Sequence, residues 1–150
     1  DQSPANPWKI WQTAKFVDNT TYSGDFVLMR SAETYLIDAE GLAQTGQLEP
    51  AKDALFELQK NRDPGATRST ASNKDKLIDE ILMERRKELY GEMGVEYFDL
   101  KRYQRPLMRD GNQWSSVVDV SADDNRWRWQ LPQTEMDANK SLSAADQNPL

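Results

Sequence analysis

The residues best suited to chemistry in this chain are charged and clustered. The run Glu84-Arg85-Arg86-Lys87-Glu88 sets two carboxylates beside three cations. On a helix, Glu84 and Glu88 stand at i and i+4 and share a face, while Arg85 flanks Leu89. Such a cluster could bind an anion or work as a catalytic pair. It could equally be structural: the stem of Arg85 packs in a core and its fork grips Asp99 or a helix C-terminus, with Glu40 as a further partner. The structural reading is preferred.

Two other kinds of residue invite a functional reading. Asp123 with Asp124, and Glu135 with Asp137, raise glycoside hydrolysis, which needs two carboxylates about 5 to 9.5 Å apart across a cleft. With 25 acidic residues in the chain, such pairs discriminate almost nothing, and no enzymatic activity is expected. The aromatics say more. Sugars present flat C–H faces that stack on exposed rings, with amides and Arg bonding the hydroxyls. Trp8 and Trp11, Trp114 with Asn112 and Gln113, and Trp127 with Asn125 and Arg128 have that composition. Trp114 is the preferred exposed platform, whereas Trp129 is expected to be a core anchor.

Composition excludes much else. Histidine and cysteine are both absent, which removes zinc sites, disulfides, cysteine nucleophiles and serine–histidine triads; no metal or cofactor is expected. A net charge of -6 and a pI near 4.7 argue against nucleic-acid binding, which needs a basic face. No apolar run approaches the ~18 residues of a membrane span. Leu, Ile, Val and Phe make up just under a fifth of the residues, near the ~20% below which disorder competes. Five Trp and five Tyr restore bulky apolar surface. A folded but thin-cored chain, or a piece cut from something larger, is the expectation.

The elements that position these residues are mostly helical. Residues 1–24 read as an extended lead-in. Asp25 is a candidate N-cap for a first helix whose stripe runs Leu28, Ala32, Tyr35, Leu36, Ala39, Leu42 and Ala43. Gly46 ends it, Pro50 opens a second helix with Ala51, Ala54, Leu55 and Leu58, and Asp63-Pro64-Gly65 stops that one. Tyr35, Ala39, Leu42, Gly46, Ala51, Leu55 and Leu58 match the spacing of a tetratricopeptide repeat, with Ala39 and Ala51 letting the helices approach and Tyr35 and Leu55 filling the gap. Any tight helical hairpin wants similar residues, so a bare hairpin and a true repeat both stand. Asn73 caps a third long helix through Leu77, Ile78, Ile81, Leu82, Arg85 and Leu89, closed by Gly91 and Gly94. Trp127, Trp129 and Leu131 alternate with polar residues as a brief strand-like stretch within a loop-rich tail, residues 106–150.

Four motifs then carry a resemblance. Leu28 to Glu40 resembles the "RxAExYLIxAE" signature of the SusD/RagB family, with Arg30, Glu33 and Glu40 at its charged positions. Glu84 to Leu89 resembles its "ERRxEL", and Glu92 to Arg102, containing Asp99 and Arg102, its "EGxRxxDLxR". Leu131 to Asn139, followed by Gln147-Asn148-Pro149, resembles its C-terminal "IPxxEIxxNPxLxQNPGY". The chain departs from the pattern where Glu96 replaces the usual Arg, so any salt bridge of that Arg is lost or inverted, and where the final Gly-Tyr is absent. The resemblance implies a mostly α protein: a tetratricopeptide-like hairpin over 25–65, a helix and Asp-Leu-x-Arg element over 73–105, and little strand. It implies the C-terminal segment of a longer lipoprotein anchored at the bacterial outer membrane through an upstream cysteine. Its function would be non-catalytic capture of oligosaccharide beside a SusC-like TonB-dependent transporter, with this segment mainly scaffold. A purely helical interaction scaffold without a ligand site is the alternative. No sugar-contacting residue is carried over from the family.

Overall fold

The computed structural model describes residues 20, 21, 23, 28–108 and 119–149. The chain divides into two units, residues 1–30 and 31–150. In the first, the described residues form neither helix nor strand, and Ser23 donates its hydroxyl to that of Thr21 at 2.8 Å. Leu28 and Met29 are exposed. The candidate cap Asp25 lies outside the described residues.

The second unit holds five α-helices: α1 (Ser31–Gln44), α2 (Leu48–Arg62), α3 (Lys74–Glu88), α4 (Val95–Arg102) and α5 (Gln133–Ala138). The first helix starts later than its apolar spacing predicts. Leu28 falls at a stripe-compatible step but precedes the helix and is exposed, while Glu33 occupies the first turn, where a carboxylate meets the positive end of the helix dipole.

The α1–α2 hairpin closes on Gly46, whose φ of 83° few side chains would tolerate. There the Gln47 N–H reaches back to the Leu42 carbonyl at 2.8 Å and the Gly46 N–H to Ala43 at 3.1 Å, a Schellman closure. Ala32, Leu36, Ala39 and Ala43 face Ala51, Leu55 and Leu58, all buried. Small residues let the helices approach, and Leu36 rather than Tyr35 fills the gap. Tyr35 sits on the flank of that line and is 48% exposed, against expectation. Asp63 terminates α2, its carboxylate accepting from the Gly65 N–H at 2.8 Å.

α3 packs on α1 and more lightly on α2, adding Leu77, Ile78 and Ile81 to the same core. Asn73 caps it as expected, its side chain accepting from the Lys76 N–H at 3.0 Å. Gly94, at φ 67°, opens α4, which packs on α3. Sequence periodicity did not reveal α4: eight residues give barely two turns, too few to establish a stripe.

The remainder of the unit is built differently. Leu107 and Val120 exchange two backbone hydrogen bonds at 2.8 and 3.0 Å, an isolated bridge. No β-strand occurs among the described residues. The expected strand-like stretch is a 3-10 turn, Asn125–Trp127, followed by extended backbone. Alternation without a neighbouring strand leaves N–H and C=O groups to be satisfied otherwise. A side chain does it: Gln147 Oε1 accepts from the Leu131 N–H at 2.8 Å and Gln147 Nε2 donates to the Leu131 carbonyl at 3.1 Å. One amide thus pairs both backbone groups of Leu131, as an adjacent strand would.

Trp127 is buried, but Trp129 is 82% exposed and is no core anchor. In this stretch the side chains of 127 and 129 do not share a side, because the 3-10 turn ends between them.

Candidate functional site

The charged residues singled out by sequence converge where α1, α3 and α4 meet. Asp99, buried on α4, is the hub. Arg85 donates Nε to Asp99 Oδ2 at 2.8 Å, and Arg102 donates Nε and Nη2 to Asp99 Oδ1 at 3.0 and 2.8 Å. Arg102 also grips Glu40 on α1 with both terminal nitrogens, the Nη2–Oε2 contact being 2.6 Å. Such forked pairing is the strong geometry for a guanidinium and a carboxylate. Glu33 comes to 3.9 Å of Arg85. Arg30 lies partly exposed just before α1.

Two residues of this network escaped sequence reasoning. Tyr103 donates its hydroxyl to Glu40 and accepts from Gln44 Nε2 at 2.9 Å. The signal was present but faint: Tyr103 stands four residues after Asp99, the spacing of one helix face. Burial alone would raise the Glu40 carboxyl. The hydrogen bonds from Arg102 and Tyr103 and the charges of Arg102 and Arg85 outweigh it, holding the carboxyl below its ordinary value. The Glu40 carboxylate, with Asp99, raises Arg102 in turn against its partial burial. Burial and the bond to Glu40 raise the Tyr103 phenol.

This network is consumed internally. Its oxygens are taken by its own donors, and among the described residues only Arg85 Nη1 is a buried side-chain polar atom without a partner. Chemistry on an outside molecule needs open valences facing a cleft, and the hub offers none.

The other members of the charged run are also engaged. Glu84 accepts from Gln59 at 3.2 Å and lies 3.7 Å from Lys87. Glu88 takes Arg62 in a forked contact, 2.7 Å at its shortest. Arg86 meets Glu96 at 3.0 Å, so the departure at position 96 provides an ion pair of its own. A shallow groove of about 130 Å³ between α3 and α4 is lined by Leu82, Met83 and Leu100 and rimmed by Arg86–Glu96 and Arg105–Asp79. A more polar cleft of about 420 Å³ lies over Gln59, Arg62, Glu84 and Glu88.

Members of the two acidic pairs are engaged by near neighbours in sequence. Asp124 is committed to Arg126, whose side chain and backbone N–H together pull its carboxyl down to about 2. Glu135 accepts from Asn139 at 2.9 Å and Asp137 from Gln133 at 2.7 Å, each on its own turn of helix. Among the described residues no group of three or more acidic, His or Cys side chains could hold a metal ion. Nor is any described helix long and apolar enough to cross a membrane. Trp114, Asn112 and Gln113, the platform expected from sequence, lie outside the described residues.

The described residues thus form a mostly helical body, with a tetratricopeptide-like hairpin joined to α3 and α4 by an internal ion network. The chain belongs to the SusD family, whose model matches residues 2–150. No curated protein and no solved structure gives a significant match. The family is one of non-catalytic proteins that bind glycans and other nutrients at the outer-membrane surface.

Proposed function

We propose that the protein captures oligosaccharide at the bacterial cell surface and passes it to a SusC-like TonB-dependent transporter. In this reading residues 31–105 are mainly its helical scaffold, and a lipid anchor lies upstream. Trp114, with Asn112 and Gln113, is the ligand platform proposed from sequence. The reading is carried by the closure of the Glu40–Arg102–Asp99–Arg85 network, which uses its charges to hold helices together and leaves recognition to exposed residues.

Affinity electrophoresis through gels carrying a panel of polysaccharides tests it. Retardation on at least one glycan is expected, and Trp114→Ala reduces it. Migration unchanged on every glycan overturns oligosaccharide capture.

A second reading has its own support. Tyr35 and Ile37 on α1, Met83 on α3 and Phe98 on α4 are about half exposed or more, as befits helices that lean on another protein. On this reading the chain is only a platform for the transporter, and co-purification with it persists where glycan binding is absent.

A further inference from the structure

The exposure of Trp129 needs an explanation, since Trp is highly buried on average. Its ring is the most exposed of the large apolar side chains described, at 82%. Its backbone, by contrast, is held on both sides. Upstream, the Trp127 indole donates to the Ser121 carbonyl at 2.6 Å and the Trp127 carbonyl accepts from Tyr97 at 2.8 Å. Asn148 Nδ2 donates to the Trp129 carbonyl at 2.7 Å, and downstream the Gln147 amide clamps Leu131. A ring on a fixed backbone surrenders only its own two torsions on binding, so it contacts a ligand at low entropic cost.

The neighbours decide which ligand. Protein–protein anchors sit in apolar, water-excluded surroundings, but Trp129 stands between exposed Arg128 and exposed Gln130. Gln130 Nε2 lies 3.5 Å from the Asn148 carbonyl, so two side-chain amides stand close to the Trp129 backbone. An amide both donates and accepts, which is what a hydroxyl group asks of its partner. Two other exposed rings lack this setting: Phe98 is covered on one edge by Tyr97, their centroids 5.3 Å apart, and Tyr35 stands on a helix face.

We propose that Trp129 is the stacking platform of a carbohydrate subsite, its indole taking the C–H face of a pyranose ring and the amides of Gln130 and Asn148 serving the hydroxyls. The assignment rests on the oligosaccharide-binding reading above and gives it a second, independent location.

The test follows the indole N–H resonances of the ¹⁵N-labelled full chain during titration with maltohexaose, cellohexaose, xylohexaose and mannohexaose. The Trp129 signal is assigned by its loss in Trp129→Phe. With at least one sugar it is expected to shift saturably, and Trp129→Ala is expected to weaken that sugar's affinity about tenfold with an unchanged thermal melt, since the ring is not part of the core. Trp129→Phe should lose less. A shift confined to another indole, or an affinity untouched by Trp129→Ala, overturns the subsite while leaving oligosaccharide binding in place. Silence of the Trp129 indole with every sugar overturns it too, and the gels described above then show whether capture survives without it. A Trp129 shift produced by phosphatidylcholine vesicles but by no sugar identifies a lipid contact and likewise overturns the proposal.

Discussion

The helical body, residues 31–105, and the tail, residues 119–149, solve one problem by different means. In the body, Leu36, Leu55, Leu77 and Ile81 are fully buried and backbone groups are satisfied within helices. In the tail only Trp127 is a buried apolar residue, and polar side chains close the backbone instead: Gln147 on Leu131, Asn148 on Trp129, Asp124 on Arg126, and Asp146 reciprocally with Ser143. Apolar burial spreads its effect over many contacts, whereas an amide clamp concentrates it in two hydrogen bonds. The body should therefore fail as a whole and the tail piece by piece.

The largest blow to the body is expected at Asp99. Asp99→Ala leaves buried Arg85 without its close partner and should cost about 3–5 kcal/mol in urea unfolding. Restoring most of that loss with Asp99→Glu would show that the charge matters more than its position. Leu55→Ala should cost about 2–5 kcal/mol through the cavity it opens between α1 and α2, and the helical body should unfold in one transition.

The tail should respond more locally. Gln147→Ala removes both bonds to Leu131, about 1 kcal/mol each at most. Faster proteolysis within residues 129–149 is expected, with the far-UV melt of the helices nearly unchanged. A tail variant that lowers the helical melt as much as Leu55→Ala would erase the distinction between the regions.

Acid sharpens the comparison from the side of the body. Because the folded Glu40 carboxyl is held below its ordinary value of 4.5, its contribution is complete above that value and is lost as pH falls through the folded one. Wild-type stability should therefore drop on acidification below about pH 4.5, and Glu40→Gln should flatten that dependence. The smallest effect is expected at the Arg86–Glu96 pair, which is largely solvent-exposed. Exchanging the two residues should change stability by no more than about 1 kcal/mol.

What the sequence made legible follows the same division. Gly46 acts through its own backbone conformation, and Asp63 and Asn73 through side chains that bond backbone two or three residues on, so the ends of α1 and α2 and the start of α3 could be read locally. Asp99 as a partner of Arg85 was also within reach, because a buried Arg demands a carboxylate. The pairing of Glu40 with Arg102 was not, since it depends on how α1 and α4 come together. Trp129 was misjudged for a related reason: alternation along a chain implies a buried face only if a sheet forms to bury it. Gln147 was noticed as part of a motif, but nothing in its neighbours announces that it will stand in for a strand.

The Glu40–Arg102 bridge also has a bearing on time. It joins residues 62 positions apart, so closing it carries the entropic cost of a long loop, which falls once the α1–α2 hairpin and α3 have formed. A contact that forms after the folding transition state weighs on the rate of escape alone. Arg102→Ala should leave refolding nearly as fast as in the wild type while unfolding accelerates, as stopped-flow chevrons would record. The bridge then works as a brake on opening, prolonging the life of the folded scaffold without hastening its formation.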